Sequence, residues 1–336
     1  KLKIEALAAQ RASNGLTLHE RAIAYLPRYA PVLGRAPWFA NSGDRLPGAA
    51  RLSEWLLGIA PKRRLPRWQR SYLHTVPTGT TGSGASDPEK EVLLFVDTFT
   101  NYFAGENAAA ARKVLEAAGY RVHTNARAGE RPLCCGRTFL AVGLVDEARA
   151  EARRTIDALL PFARRGVCIV GLEPSCLLGM RDEFLDYRFG DDASLVASRA
   201  LMLEEFLVRE REAGRLSLEL RSPGIGEALL HAHCHQKAFA VVAPIENVLG
   251  WIPGLAARTI ETGCCGMAGA FGYETAHYDV SMRMAEAALL PAVRAAPASA
   301  WIVADGFSCR HQIRDGSGRE AMHVARALER ALAVNR

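Results

Sequence analysis

Cys234, Cys264, Cys265 and Cys309 offer four soft sulfur donors from three separate stretches of one chain. Four thiolates brought together from such stretches satisfy an iron–sulfur cluster. They satisfy a structural zinc ion equally well. The Cys264-Cys265-Gly266 unit suits a cluster because adjacent thiolates can reach different irons and glycine lets the backbone come close. Adjacent cysteines do not pair readily with each other within disulfide geometry. His233, His235 and His311 flank the four cysteines as candidate ligands, hydrogen-bond donors to ligands, or proton carriers.

A thinner version of the same set lies upstream. Cys134, Cys135 and Cys176 are present, but the position of Cys234 is taken by Thr98, with Asp97 beside it. Three thiols plus Asp97 or Glu173 form a second candidate metal set. The alternative is that this half has lost its centre and lines a pocket for a substrate or partner. Arg137, Glu173 and His235 are the catalytic candidates and, with Gln236 and Lys237, are expected to line a cleft between the two sets. Arg137 also stands close enough in sequence to Cys134 and Cys135 to lower their pKa values, which keeps a thiol-redox reading open. Cys168 sits within an apolar run and reads as an inert core residue.

The two sets belong to an internal repeat. EVLLFVDTFTNYF (91–103) matches EALLHAHCHQKAF (227–239), RPLCCG (131–136) matches ETGCCG (261–266), and CIVGLEPSC (168–176) matches WIVADGFSC (301–309). Three segments in one order, at offsets of 136, 130 and 133 residues, define a duplicated unit. In each copy the cysteines follow short apolar runs and open the next loop or helix. That is where ligands bind in parallel α/β sheets, and where helix N-termini stabilise thiolates.

The elements that must position these residues alternate between strand and helix. Short strands are expected at 92–96, 121–123, 167–170, 229–230 and 301–303. Helices are expected at 108–118, 137–162, 194–211 and 275–290. This alternation predicts a parallel sheet covered on both faces. Upstream, Thr17 and Glu20 form a capping box for a helix that Pro27 and Pro31 should stop, and 46–59 should add a short helix. The expected organisation is a helical arm at 1–75, a flexible Gly/Ser/Thr/Pro linker at 76–90, a first α/β copy at 91–225 and a second at 226–336.

Composition narrows the function classes. Eight cysteines in 336 residues are too few for a disulfide scaffold, which favours metal or redox use. The net charge is +6, and the densest basic stretch, Lys62-Arg63-Arg64, reads as solvated linker because no nucleic-acid motif accompanies it. No run of apolar residues is long enough for a transmembrane helix. The chain does not begin with Met and reads as a piece of a longer polypeptide.

The segments LLFVDTFTNYF, CCGRTFLAVG, GLEPSC, HCHQKA, CCGMAGAFGYE and DGFSCRHQI make the sequence resemble the duplicated CCG cysteine-rich domain over about residues 91–315. That domain occurs in heterodisulfide reductase B subunits, the glycolate oxidase iron–sulfur subunit and the C subunit of anaerobic glycerol-3-phosphate dehydrogenase. The finer resemblance is to the C-terminal region of large FAD-linked D-2-hydroxyacid dehydrogenases fused to a ferredoxin-like segment. It implies two tandem Rossmann-like CCG domains after a helical arm. It also implies an electron-transfer role in which FAD is carried by another domain or subunit and a quinone is a candidate acceptor. The implied location is cytoplasmic, with peripheral contact at the inner membrane. The family motif ends in Cys-x-x-Cys, whereas Glu173 and Gly306 hold the first of those places here. A conventional [4Fe–4S] cluster, or zinc, therefore fits Cys234, Cys264, Cys265 and Cys309 better than a five-cysteine cluster. The chain contains neither a Cys-x-x-Cys-x-x-Cys run nor a recognisable flavin-binding segment, so it is not expected to oxidise a hydroxyacid alone.

Overall fold

The computed structural model describes residues 2–45, 48–76, 87–127 and 129–333. Most of the expected linker at 76–90 lies outside the described residues.

Two parallel sheets carry the repeat. The first has strands β1 (Glu91–Phe95), β2 (Arg121–Thr124), β3 (Cys168–Gly171) and β4 (Ala200–Met202), in the order β2-β1-β3-β4. The second has β5 (Glu227–Leu230), β6 (Ala256–Thr259) and β7 (Trp301–Val303), in the order β6-β5-β7. The first three strands of one sheet correspond to those of the other. At the place of β4 the second sheet has only a parallel bridge between Val303 and Met322.

Strands β1, β3 and β7 are buried on both faces, as strands of a parallel sheet should be, while the edge strand β6 is partly exposed. Val92, Leu94 and Val96 from one face of the first sheet share a core with Ala228 and Leu230 from the second. Four helices contribute to this shared core: Gly105–Ala117, Leu203–Glu212, Ala243–Gly250 and Val324–Ala331. Their packing is exchanged. Val324–Ala331, last in the second unit, packs on Gly105–Ala117 of the first, and Leu203–Glu212 packs on Ala243–Gly250. This reciprocal arrangement places the C-terminal edges of both sheets side by side. The outer faces have separate cores, one around Leu93, Phe95 and Ile156 and the other around Leu229, Ile302 and Ile313.

Several expected elements differ. The stretch 137–162 is two helices, Arg137–Ala141 and Val145–Arg164, broken where Gly143 takes φ +85° against the backbone of Leu7 and Ala8. The stretch 194–211 is likewise interrupted by β4, which pairs with β3. β6 has no counterpart among the expected strands; its Ala-Ala-Arg-Thr sequence carries little strand signal, and pairing with β5 defines it. Thr17 and Glu20 do form the capping box. Pro27, however, opens the next helix, Leu26–Leu33, and Pro31 lies inside it.

Within the basic stretch Lys62 and Arg64 are exposed, but Arg63 departs from the solvated reading. Arg63 is 6% exposed and donates to the Gly272 carbonyl at 2.7 Å, to Ser281 Oγ at 2.9 Å and to Gln312 Oε1. It fastens the N-terminal layer to the second unit. Trp68 of this layer packs at a tilt against Phe103, which meets Phe307 across the unit boundary. No helix among the described residues is long and apolar enough to cross a membrane.

Candidate functional site

The cysteines of each copy lie in a row at the C-terminal edge of its sheet; in the second copy their donor atoms fall into two groups, His233-Cys234-His235 and His231-Cys265-Cys309. In the second copy Cys234 interacts with Cys264, and Cys264 with Cys265. Cys265 Sγ lies 3.3 Å from Cys309 Sγ. Each residue arrives from a strand end. Cys234 opens the helix Cys234–Ala238 after β5, Cys264-Cys265 follow β6, and Cys309 lies in the first turn of Phe307–Ser317 after β7. Cys234 is exposed and Cys264 partly so, while Cys265 and Cys309 are buried.

The first copy repeats this row with one substitution. Thr98 interacts with Cys134, Cys134 with Cys135, and Cys135 with Cys176. All three thiols are buried. The backbone supports both copies alike: Gly136 N–H points at Cys134 Sγ and Gly266 N–H at Cys264 Sγ, each at 3.4 Å.

The glycine of each Cys-Cys-Gly unit is required twice over. Gly136 has φ +81° and Gly266 φ +90°, a region that disfavours side chains. A Cβ would also stand 2.7 Å from the Ala148 carbonyl oxygen at Gly136, and 2.3 Å from that of Ser281 at Gly266.

Electrostatics separate the copies. Contact with Cys135 and burial push the Cys134 thiol well up. Contact with Cys135 pulls Cys176 down, but burial and the carboxylates of Asp97 and Glu173 raise it to about 12. In the second copy, contact with Cys265 draws Cys309 well below its usual value against the opposing effect of burial, with His233 and His231 assisting. Cys264 is lowered by Cys234 and Cys265. In the second set Cys264 and Cys309 are thus the thiols favoured as thiolates, the form that binds metal, while their neighbours Cys234 and Cys265 are raised by those same contacts and by burial; in the first set all three thiols are raised.

Asp97 serves its own helix. Its carboxylate accepts from Phe99 N, Thr100 N and Thr100 Oγ1, at 2.8, 3.1 and 2.6 Å. Glu173 bridges the units, accepting from Ser175 Oγ at 2.8 Å and from Phe307 N at 2.8 Å. Arg137 does not turn toward the Cys134-Cys135 pair. Its guanidinium meets His235 Nε2 at 3.0 Å and Glu183 at 2.9 Å, joining the units at the shared edge.

The flanking residues divide by task. His233 accepts from His235 N at 3.1 Å, capping the Cys234 helix, and Gln236 donates to Glu204 and Asp305 in a buried network. Lys237 Nζ clasps the loop before Cys264, donating to the carbonyls of Thr262 and Gly263 and to Thr262 Oγ1. His311 bonds Tyr273 OH at 2.7 Å. A further histidine beside the buried thiols is His231, which sequence reasoning missed. One donor atom each from His231, Cys265 and Cys309 lies within 4.8 Å of the others. Its place in the repeat is the available signal, since His231 stands where the first copy has Phe95.

Comparison with known proteins agrees with this arrangement. Residues 96–181, which hold Asp97, Thr98 and the first-copy Cys134, Cys135 and Cys176, match the CCG cysteine-rich domain. Along its length the chain is similar to D-2-hydroxyglutarate dehydrogenase of Escherichia coli, 25% identical over 325 residues, covering 93% of this chain and 30% of that protein. It is similar to the C subunit of the anaerobic glycerol-3-phosphate dehydrogenase of the same organism, 24% identical over 302 residues, covering 87% of this chain and 72% of that protein. The D-2-hydroxyglutarate dehydrogenase of Pantoea ananatis is 25% identical, with coverage of 93% and 30%. The chain therefore spans about a third of the length of these D-2-hydroxyglutarate dehydrogenases.

Proposed function

We propose that this chain is the iron–sulfur electron-transfer region of a FAD-linked 2-hydroxyacid oxidoreductase. The flavin would lie on another domain or subunit, and the electrons would leave to a quinone or similar acceptor. The observation that carries the reading is the delivery of Cys234, Cys264-Cys265 and Cys309 from the ends of β5, β6 and β7 to one sheet edge. A set of four thiol donors from three strand ends, with Gly266 N–H donating to Cys264 Sγ, fits a [4Fe–4S] cluster. Likeness to D-2-hydroxyglutarate dehydrogenases and to one subunit of a glycerol-3-phosphate dehydrogenase supports the redox setting.

In this reading Cys234, Cys264, Cys265 and Cys309 are the ligands. What a cluster supplies when bound is one-electron transfer. The chain's own residues hold the thiolates, with His233 capping the helix of Cys234 and Lys237 fixing the loop of Cys264. Phe99, Phe103 and Phe307 pack together beside the site and help to exclude water. The first copy, with neutral thiols under two carboxylates, is the weaker metal site and serves as a docking partner for the second.

A second reading, a structural zinc ion, has one observation in its favour. The 3.3 Å approach of Cys265 and Cys309 resembles the edge of a tetrahedral thiolate site, about 3.8 Å for Zn–S bonds of ~2.3 Å. Absorption spectra of anaerobically purified protein separate the two. A brown colour bleached by dithionite and restored by a soluble quinone supports electron transfer. A colourless, redox-silent protein contradicts it.

A further inference from the structure

Phe95 and His231 occupy the same position in the two copies, at or just after the end of the central strand. Phe95 is 1% exposed, and so is His231. The fold therefore asks for a buried ring there, which a hydrocarbon ring satisfies without further partners. A buried imidazole nitrogen left without a hydrogen bond has lost its hydration with nothing in return. His231 Nε2 is buried and has no such partner among the described residues.

Its surroundings suggest what meets it. His231 Nδ1 lies 3.0 Å from Thr262 Oγ1, and Thr262 Oγ1 accepts from Lys237 Nζ at 3.1 Å. A hydroxyl polarised by an ammonium is a better donor to the next group. Nδ1 then accepts, the ring proton resides on Nε2, and Nε2 is the nitrogen left free in a residue whose ring has a nitrogen within 4.8 Å of the sulfurs of Cys265 and Cys309. None of this relay exists in the first copy, where Asn101, Pro132 and Phe95 stand at the places of Lys237, Thr262 and His231. The relay thus accompanies the copy with four cysteines.

We infer that His231 is a positioning residue of the second-copy centre, donating an Nε2–H hydrogen bond to the thiolates of Cys265 and Cys309, with its tautomer set by Lys237 and Thr262. It rests on the thiolate centre proposed above but not on which metal fills it. Hydrogen bonds to sulfur stabilise the more reduced, more negative state of an iron–sulfur centre and raise its potential.

The test uses His231→Phe, the residue the first copy already accommodates, and Thr262→Val. In anaerobically purified protein, iron and sulfide content of the wild type decides whether a cluster is present. With a cluster, His231→Phe should keep its iron while the reduced-to-oxidised ratio at fixed potential falls about tenfold, equivalent to ~59 mV for a one-electron couple. Thr262→Val should move it in the same direction by less. An unchanged potential, or lost iron, overturns the donor role. Without a cluster, the protein loaded with Zn²⁺ alone is read by ¹⁵N-histidine NMR. A protonated Nε2 on His231 supports the inference, and a metal-bound or unprotonated Nε2 overturns it. Failure of the iron–sulfur reading is thereby distinguished from failure of the His231 assignment.

Discussion

The carboxylate of Glu173 accepts a hydrogen bond from the Phe307 amide at 2.8 Å, so a residue of the first unit holds the start of the helix that carries Cys309 in the second. Glu173 lies three residues before Cys176, and Phe307 two before Cys309. The two cysteine edges are thus fixed to one another by a buried acceptor. Glu173→Ala should leave the Phe307 N–H unpaired and lower stability by about 1–3 kcal/mol. Urea unfolding followed by circular dichroism measures this, and an unchanged midpoint would show that the bond carries no net stability.

Arg63 supports the second site from the other side. Its guanidinium reaches Gly272 O, Ser281 Oγ and Gln312 Oε1 from a 6% exposed position. Arg63→Met preserves the apolar stem but strands those acceptors, and should cost about 3 kcal/mol. Because Ser281 also packs on Gly266, proteolysis near residues 263–275 should increase before the first unit becomes sensitive. Limited proteolysis with mass mapping checks the order.

The two glycines after Cys265 should behave differently. Gly266→Ala combines positive φ with a Cβ placed 2.3 Å from the Ser281 carbonyl oxygen, and should cost about 4 kcal/mol or more. Gly269→Ala also meets positive φ but has open space around it, so only backbone strain of about 1–2 kcal/mol is expected. Thermal melts of the two variants give the comparison; equal losses would remove the role assigned to close helix approach.

The duplication is legible in the sequence because its cysteines occupy equivalent strand ends, and the parallel α/β class follows from alternating apolar runs and helices. β4 is hidden because Ala200-Leu201-Met202 continues the apolar rhythm of the helices on either side without a turn residue, and only pairing with β3 makes it a strand. Arg63 misleads because a cluster of basic residues looks solvated until its acceptors, more than 200 residues away, are placed around it. His231 is overshadowed by the histidines adjacent to Cys234. Its direction toward Cys265 and Cys309 depends on where β5 ends relative to β6 and β7. The exchange of final helices between units involves side-chain packing across long separations and leaves no local pattern.

The central claim is that Cys234, Cys264, Cys265 and Cys309 hold one iron–sulfur centre. Iron, acid-labile sulfide and zinc should be quantified in anaerobically purified wild type, Cys265→Ser and Cys168→Ser. Cys168 is a β3 residue away from both cysteine rows, with its sulfur 3.3 Å from Arg209. The account predicts about four iron and four sulfide per chain in the wild type and in Cys168→Ser, and a loss of both in Cys265→Ser. Equal metal in both variants, or zinc without sulfide in the wild type, would contradict it.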